Sequence, residues 1–133
     1  MTRTEEREQA FLFVFEKAFN MEISENDIVS YAEEARILEP STFSVALFKQ
    51  TYENLEDIDA VIDQYAIGWK KERISKVALS VLRMAICEIK YVPSVPNGVT
   101  ANEAVNLAKK YATNDDAAFI NGILGTYIRS LSK

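Results

Sequence analysis

Histidine is absent from the 133-residue sequence, and cysteine occurs once, at Cys87. Histidine is the side chain that most often serves as a general base or metal ligand near neutral pH, and one cysteine cannot form an internal disulfide. A serine or cysteine nucleophile would therefore lack its usual base. We expect a cytoplasmic protein that is not an enzyme and that holds no metal or other cofactor.

Glycine and proline are also scarce, with four and three residues, and this favours long helices over many short strands. The longest apolar runs, such as FLFVF at residues 11–15, are far shorter than the ~18 residues that a membrane-spanning helix needs. The chain does not begin with a charged and then apolar leader that ends in a cleavage site. We therefore expect no membrane-spanning segment and no export signal.

Positive charge is the minority sign, because 15 Lys and Arg residues oppose 20 Asp and Glu residues and leave a formal net charge of −5. A surface that attracts nucleic acid through its bulk charge would carry the opposite sign. Neighbouring acids in the sequence point ~100° apart on a helix, so they do not share a catalytic site. Any nucleic-acid binding would need a local basic patch, a preformed pocket or a partner that supplies positive charge.

Apolar residues recur at helical spacing almost throughout the chain, and no strand-like alternation competes with them. Phe11 and Phe15 share one face of the first predicted helix, which Phe19 widens, and the clearest stripe holds one face from Ile74 to Ile89. Helices of modest length must pack in more than one layer to bury such faces. We predict an all-α fold of about seven helices in two small packed bundles, forming a single domain over residues 1–133.

Polar residues and one glycine mark particular positions in these helices. Ser24 and Ser41 precede apolar stripes and are predicted N-caps, while Thr100 and Glu103 have the spacing of a capping box that would begin the sixth helix. Gly122 lies inside the last helical pattern, where a glycine costs about 1 kcal/mol relative to alanine. We interpret it as a close contact between helices, with a binding role as the alternative.

Two arginines, Arg3 and Arg7, lie four residues apart at the start of the first predicted helix, within ~40° of each other on its surface. Arginine can hold a phosphate through two hydrogen bonds and stack on a base, so the pair could anchor two nucleotides. However, Glu5, Glu6 and Glu8 crowd the same turns, and cations near a helix N-terminus oppose its dipole. By themselves, these residues favour a solvated face over a grip on nucleic acid.

Four sequence blocks, taken together, resemble the NusB family. They are the arginine-bearing start with QAFLFVFE, the block W-x-x-x-R-I-x-x-V-x-x-x-V-L-R-M-A-x-x-E-I at residues 69–89, VTANEAVNLAKKY at residues 99–111, and FINGIL at residues 119–124. They follow the family's order and spacing over nearly the full length. The resemblance implies an all-helical bacterial transcription antitermination factor, which is not an enzyme.

The resemblance also implies partners and site residues. The chain would pair with NusE, a small-subunit ribosomal protein, and the pair would bind boxA-type single-stranded RNA of ribosomal RNA transcripts. That complex would join RNA polymerase, NusA and NusG and suppress premature termination. The implied RNA-binding residues are Arg3, Arg7, Asp115 and Phe119, with Arg83 and Lys109 as further candidates, and Arg73 and Lys76 are candidates for the protein partner. For Arg73, Arg83 and Lys109, a solvated or salt-bridged role is an equal alternative.

Some residues depart from the family pattern or admit two interpretations. Thr4, Glu5 and Glu6 stand where relatives often carry arginine, so we expect fewer phosphate contacts and a shallower salt dependence. Phe119 could stack on an unpaired base, or it could belong to the core, since it is in phase with the apolar face of the last helix. Trp69 is interpreted as a packing anchor. We expect the two arginines and Phe119 to meet on one exposed patch.

Two other functions stay open on the sequence alone. The acidic charge balance and the small number of arginines in the first predicted helix favour a helical protein-binding module, or a homodimer, with little RNA affinity of its own. An accessory domain of the kind that precedes RNA cytosine methyltransferases is a further alternative. Because no methyl-donor site follows in the sequence given, we expect this last function only if the chain is a fragment.

Overall fold

The computed structural model describes residues 1–36, 39–70 and 73–131, and these ranges contain seven α-helices and no strand. The helices are α1 (Arg3–Phe19), α2 (Glu25–Glu34), α3 (Thr42–Glu53), α4 (Leu55–Tyr65), α5 (Lys76–Tyr91), α6 (Asn97–Tyr111) and α7 (Asn114–Leu131). Within the described ranges, no helix combines the length and the apolarity that a bilayer crossing requires. The predicted all-α class with about seven helices is confirmed.

The helices pack as two bundles that meet along α5. The first bundle, α1 to α3, encloses a small core of Phe13, Val14, Ile28, Ala32 and Phe48. The second bundle, α4 to α7, shares a larger core with α1 and α3. Eleven of the sixteen residues of α5 are buried, because other helices cover it on several sides and its sequence is apolar around most of its circumference. The two-bundle prediction is therefore confirmed.

The direction of α1 relative to α5 decides which helix ends lie together. Arg7 near the start of α1 contacts Glu88 near the end of α5, whereas the ring of Phe19 at the end of α1 lies 5.4 Å from Nζ of Lys76 at the start of α5. The two helices are therefore antiparallel. The sixteen-residue separation between the first and last residues of α1 corresponds to ~24 Å along its axis.

Local signals in the sequence set several helix ends. The hydroxyl oxygens of Ser24 and Ser41 accept hydrogen bonds from backbone amides in the first turns of α2 and α3, as predicted. Gly68 follows α4 with a φ of 82°, a left-handed conformation that a residue without a Cβ adopts without steric cost. This turn leads the chain from the second bundle's first helix to Trp69.

The predicted capping box at Thr100 and Glu103 is wrong. Helix α6 begins at Asn97, and its N-cap position is occupied by Pro96, four residues before Thr100. Thr100 is consequently inside the helix, where its buried hydroxyl donates to Oε1 of Glu88 at 2.9 Å. Glu103 accepts a hydrogen bond from Oγ1 of Thr4 at 2.9 Å. The two side chains link α6 to other helices rather than capping it.

The interpretation of Gly122 as a close helix contact is also wrong. Gly122 is exposed, and apart from its chain neighbours and the nearby backbone of its own helix, a Cβ added to it would meet no atom within 4 Å. Helix α7 packs instead through a stripe that includes Ile120 and Leu124. At ~100° per residue, Gly122 points ~160° away from both of these residues, so it lies on the outer side of the helix.

Candidate nucleic-acid interface

Arg7 lies inside the protein and is only 5% exposed. Its Nε donates to both carboxylate oxygens of Glu88, at 3.0 and 3.1 Å, and Thr100 donates to the same carboxylate. The network joins α1, α5 and α6. Both a phosphate grip and a solvated face require an exposed guanidinium, so the structure corrects both interpretations of Arg7: it belongs to a buried ion pair.

Arg3 remains on the surface, with 55% of its side chain exposed. Its Nη1 lies 3.3 Å from Oε1 of Glu6, and its Cζ lies 4.0 Å from the centroid of the Phe43 ring. Exposed ion pairs are worth about 0–1 kcal/mol, so a phosphate could replace Glu6 at little cost. The contact with the Phe43 ring restrains the guanidinium, while more than half of the arginine side chain stays exposed to a ligand.

The start of α7 brings carboxylates and aromatic rings together. Oγ1 of Thr113 accepts a hydrogen bond from the backbone amide of Asp116 at 3.0 Å, and Asp115 shares this first turn, where carboxylates complement the helix dipole. One turn later, the ring of Phe119 lies 5.0 Å from that of Trp69, at an interplanar angle of 52°. Phe119 is half-buried against the core, and Trp69 is 57% exposed. The packing interpretation of Trp69 therefore holds for one side of its ring only.

These side chains line a pocket of about 300 Å³ between the start of α7 and the segment that precedes α5. Its lining residues are Trp69, Arg73, Ile74, Ser75, Asp115, Asp116 and Phe119. The hydroxyl of Ser75 caps α5 and lies 3.5 Å from Oδ2 of Asp116. Arg73, a sequence candidate for the protein partner, is thus in one pocket with two RNA candidates. Ser75 and Asp116 were not among the residues predicted for a site, and their positions at helix starts are the signal in the sequence that could have indicated them.

A row of aromatic rings runs along the second half of α1. The ring of Phe11 lies 5.0 Å from that of Tyr111 and 5.8 Å from that of Phe15, which in turn lies 5.1 Å from Phe19. The inner rings are buried or half-buried, and Tyr111 and Phe19 at the two ends are exposed. The four-residue spacing of the phenylalanines signalled this alignment, although the sequence suggested only an apolar helix face.

A lysine lies over each exposed end of the aromatic row. Nζ of Lys76 is 5.4 Å from the Phe19 centroid, and Nζ of Lys110 is 5.5 Å from the Tyr111 centroid. Lys110 also forms an ion pair with Glu8. Their hydrogen bond lowers the pKa of Glu8 and raises that of Lys110, so both groups stay charged over a wider pH range. These contacts place Lys76, a partner candidate, beside exposed aromatic surface.

Two further candidates lie elsewhere. Nε and Nη2 of Arg83 donate to the two carboxylate oxygens of Asp59, each at 2.9 Å, and the arginine side chain is largely buried. The salt-bridged alternative therefore describes Arg83. Lys109 is exposed and lines a separate groove of about 510 Å³ between α6 and α7, together with Asn121.

The structure does not bring the candidate RNA residues onto one compact patch. Arg3 begins α1, whereas Phe19 ends it beside Lys76, the neighbour of Ser75 in the pocket. Arg3 and Phe19 are ~24 Å apart along the helix and point ~160° apart around it. The expectation of a shared patch is wrong, because Arg7 is buried and Arg3 lies at the opposite end of α1 from the pocket.

The fold and this surface define a class of protein: an all-helical module that offers aromatic and charged side chains to a ligand. In the described part of the chain, no group of three or more cysteine and acidic side chains could hold a metal ion. The sequence model of the NusB family matches residues 4–129. The chain belongs to the NusB family, and the resemblance carried by the four sequence blocks is confirmed.

The chain is similar to known proteins of this family over nearly its whole length. The chain is 38% identical to the transcription antitermination protein NusB of Natranaerobius thermophilus, with 100% of the chain and 99% of the relative covered. It is 34% identical to the protein of the same name from Agathobacter rectalis, with 96% and 99% covered. This membership supports the expectation of an antitermination factor rather than an enzyme.

Solved structures show the same fold. T. maritima NusB has a TM-score of 0.81 at 30% identity, covering 95% of this chain and 89% of that one. The antitermination factors NusB and NusE in complex with dsRNA give a chain with a TM-score of 0.81 at 24% identity, covering 98% and 99%. At this lower identity, the second comparison supports the fold alone.

Proposed function

We propose that the protein is a cytoplasmic transcription antitermination factor that acts with NusE on boxA-type RNA of ribosomal RNA transcripts. In this role, the pair joins elongating RNA polymerase with NusA and NusG and suppresses premature termination. Membership of the NusB family carries the proposal, since relatives 38% and 34% identical over nearly their whole length are transcription antitermination proteins.

The exposed surface at the start of α7 supports a role in binding single-stranded RNA. Trp69 and Phe119 present aromatic rings, and base stacking on such rings is worth ~1–3 kcal/mol per base. Arg73 in the same pocket and Lys76 at the start of α5 supply nearby positive charge. Within the proposed function, the RNA contact therefore shifts from the first helix towards this end of the protein, and Arg3 remains a separate phosphate contact.

The acidic balance of the chain makes a partner necessary for tight binding. A formal net charge of −5 gives no bulk attraction for phosphate, and the burial of Arg7 removes one of the two arginines expected on α1. We therefore propose that affinity for RNA arises on a surface shared with NusE, which contributes positive charge.

Fluorescence anisotropy with labelled boxA-type RNA tests this proposal. The RNA is titrated with the chain, with NusE and with an equimolar mixture, at two salt concentrations. We expect the mixture to bind more tightly than either protein, with a salt slope of ~0.7 per phosphate contact on a single strand. A mixture that forms a protein complex but gains no RNA affinity would contradict the proposal.

A second candidate function is a protein-binding module, or a homodimer, with little RNA affinity of its own. Exposed apolar side chains favour it, since Ile67 is 85% exposed and Phe19 and Met21 are at least half exposed. Sedimentation of the chain alone measures its oligomeric state. NusE binding without any gain in RNA affinity would favour the protein-binding module over the RNA-binding function.

A further inference from the structure

We infer that the pocket at the start of α7 takes one unpaired nucleobase that carries an exocyclic amino group. The inference rests on the proposed RNA-binding function and names the chemistry that this site selects. The pocket combines an aromatic wall, formed by Trp69 and Phe119, with two carboxylates, Asp115 and Asp116. Each part of this lining contributes a different element of base recognition.

Trp69 provides a surface on which a base can stack. The ring of Phe119 supports one side of the indole at a centroid distance of 5.0 Å, and 57% of the tryptophan remains exposed. A supported, exposed ring is already ordered before a base arrives, so little side-chain freedom is lost on binding. Every base has a flat π face, and stacking therefore supplies affinity without choosing among bases.

Asp115 and Asp116 allow the pocket to discriminate among bases. An ionised carboxylate only accepts hydrogen bonds. Adenine, cytosine and guanine carry amino groups that donate, whereas uracil presents carbonyl oxygens on both sides of its single ring N–H. Asp116 is held in place by the bond between its amide and Thr113 and by the nearby hydroxyl of Ser75. Uracil would bring its lone pairs against the carboxylates, and it should be the poorest occupant.

The two carboxylates outnumber the one guanidinium in the pocket, that of Arg73, so the pocket attracts a phosphate group only weakly. Arg73 also lines an adjoining depression of about 280 Å³, together with Gly68, Trp69 and Lys70. A nucleotide can therefore place its base in the pocket while its phosphate faces the cations. The excess of carboxylates and the aromatic wall favour a base over a free phosphate or an acidic peptide as the occupant.

Deamination of single bases tests the inference. Anisotropy titrations use the wild-type chain with NusE and a series of boxA-type RNAs. In each RNA, one amino-bearing base is replaced by its deamino counterpart, such as inosine for guanosine or purine riboside for adenosine. We expect one position at which the replacement weakens binding about tenfold, within the range of one base contact.

Variants of the pocket-lining residues test whether the base at that RNA position binds in the pocket. The double variant Asp115→Ala/Asp116→Ala should bind the amino and deamino RNAs equally, whereas Asp27→Ala, which removes an exposed first-turn acid of α2, should keep the tenfold difference. Trp69→Leu should weaken binding of every RNA about tenfold, and Tyr31→Leu, at an exposed tyrosine of α2, should not. Thermal melts confirm that each variant folds.

The possible failures are distinguishable. If the wild-type pair binds RNA and no position loses more than about twofold on deamination, the inference is overturned while the proposed function stands. A Trp69→Leu variant that folds but no longer binds NusE would overturn it too, because the pocket would then hold the protein partner. A wild-type pair that binds no RNA would overturn the proposed function itself.

Discussion

Arg7 and Glu88 lie eighty-one residues apart in the chain and form an ion pair whose side chains are 6% and 2% exposed. Arg7→Met tests the contribution of this pair, because methionine keeps an unbranched, flexible chain and removes the charge. The substitution leaves the carboxylate of Glu88 buried, with the hydroxyl of Thr100 as its remaining donor among the described contacts.

Loss of one partner from a buried ion pair destabilises a protein by ~3–5 kcal/mol, because the other charge stays in a medium of low dielectric constant. We expect Arg7→Met to lower the free energy of unfolding by this amount, which is a large part of the ~5–15 kcal/mol that stabilises a typical domain. Replacing both charges with apolar groups is often nearly neutral. The double variant Arg7→Met/Glu88→Met should therefore recover most of the loss.

Urea unfolding followed by far-ultraviolet circular dichroism measures these free energies, and the cycle of wild type, single variants and double variant gives the coupling. Arg3→Met is the matched control, since its exposed pair with Glu6 is worth at most ~1 kcal/mol. The reasoning is refuted if Arg7→Met loses no more than the control, or if the two single losses simply add.

Gly122→Ala should raise the free energy of unfolding by ~0.5–1 kcal/mol, because this exposed helical position has room for a Cβ. Gly68→Ala should lower it, since the φ of 82° strains any residue with a Cβ, and urea unfolding compares the two. Ser80→Ala should be neutral or stabilising by up to ~1 kcal/mol, because in the described part of the chain the Ser80 hydroxyl is the buried side-chain group without a hydrogen-bond partner; a melting temperature well below that of wild type would contradict this. Burial raises the pKa of Tyr52 from 10.0 to about 12, so the folded protein holds this proton more tightly than the unfolded chain. Its contribution is complete below pH 10 and is lost as the pH rises towards 12, and unfolding measured across this window should show the decline in wild type relative to Tyr52→Phe.

Helix positions followed from the sequence because the forces that set them act over a few residues. The stripe from Ile74 to Ile89 lies almost wholly within α5, and Ser24 and Ser41 cap their helices through amides three residues away. The capping box at Thr100 failed although its spacing was correct. A capping motif requires a helix start, and α6 had already begun at Asn97.

The candidate site was less predictable, because its contacts join distant segments. Nothing in local spacing pairs Arg7 with Glu88, although a signal for its burial existed. Arg7 precedes Phe11 by four residues and Val14 by seven, so it lies in phase with the buried face of α1. The exposure of Trp69 was harder to predict, because it depends on where the start of α7 lies relative to the segment before α5.

Three of the four blocks that carry the family resemblance meet at one buried carboxylate. Arg7 comes from the first block, Glu88 from the second and Thr100 from the third, and their bonds fix α1, α5 and α6 against one another. In these blocks, the shared residues specify the fold. The fourth block begins at Phe119, which faces the exposed pocket instead. Much of the family likeness therefore lies in residues that hold the helices together, and the burial of each side chain determines which of them remain available to a ligand.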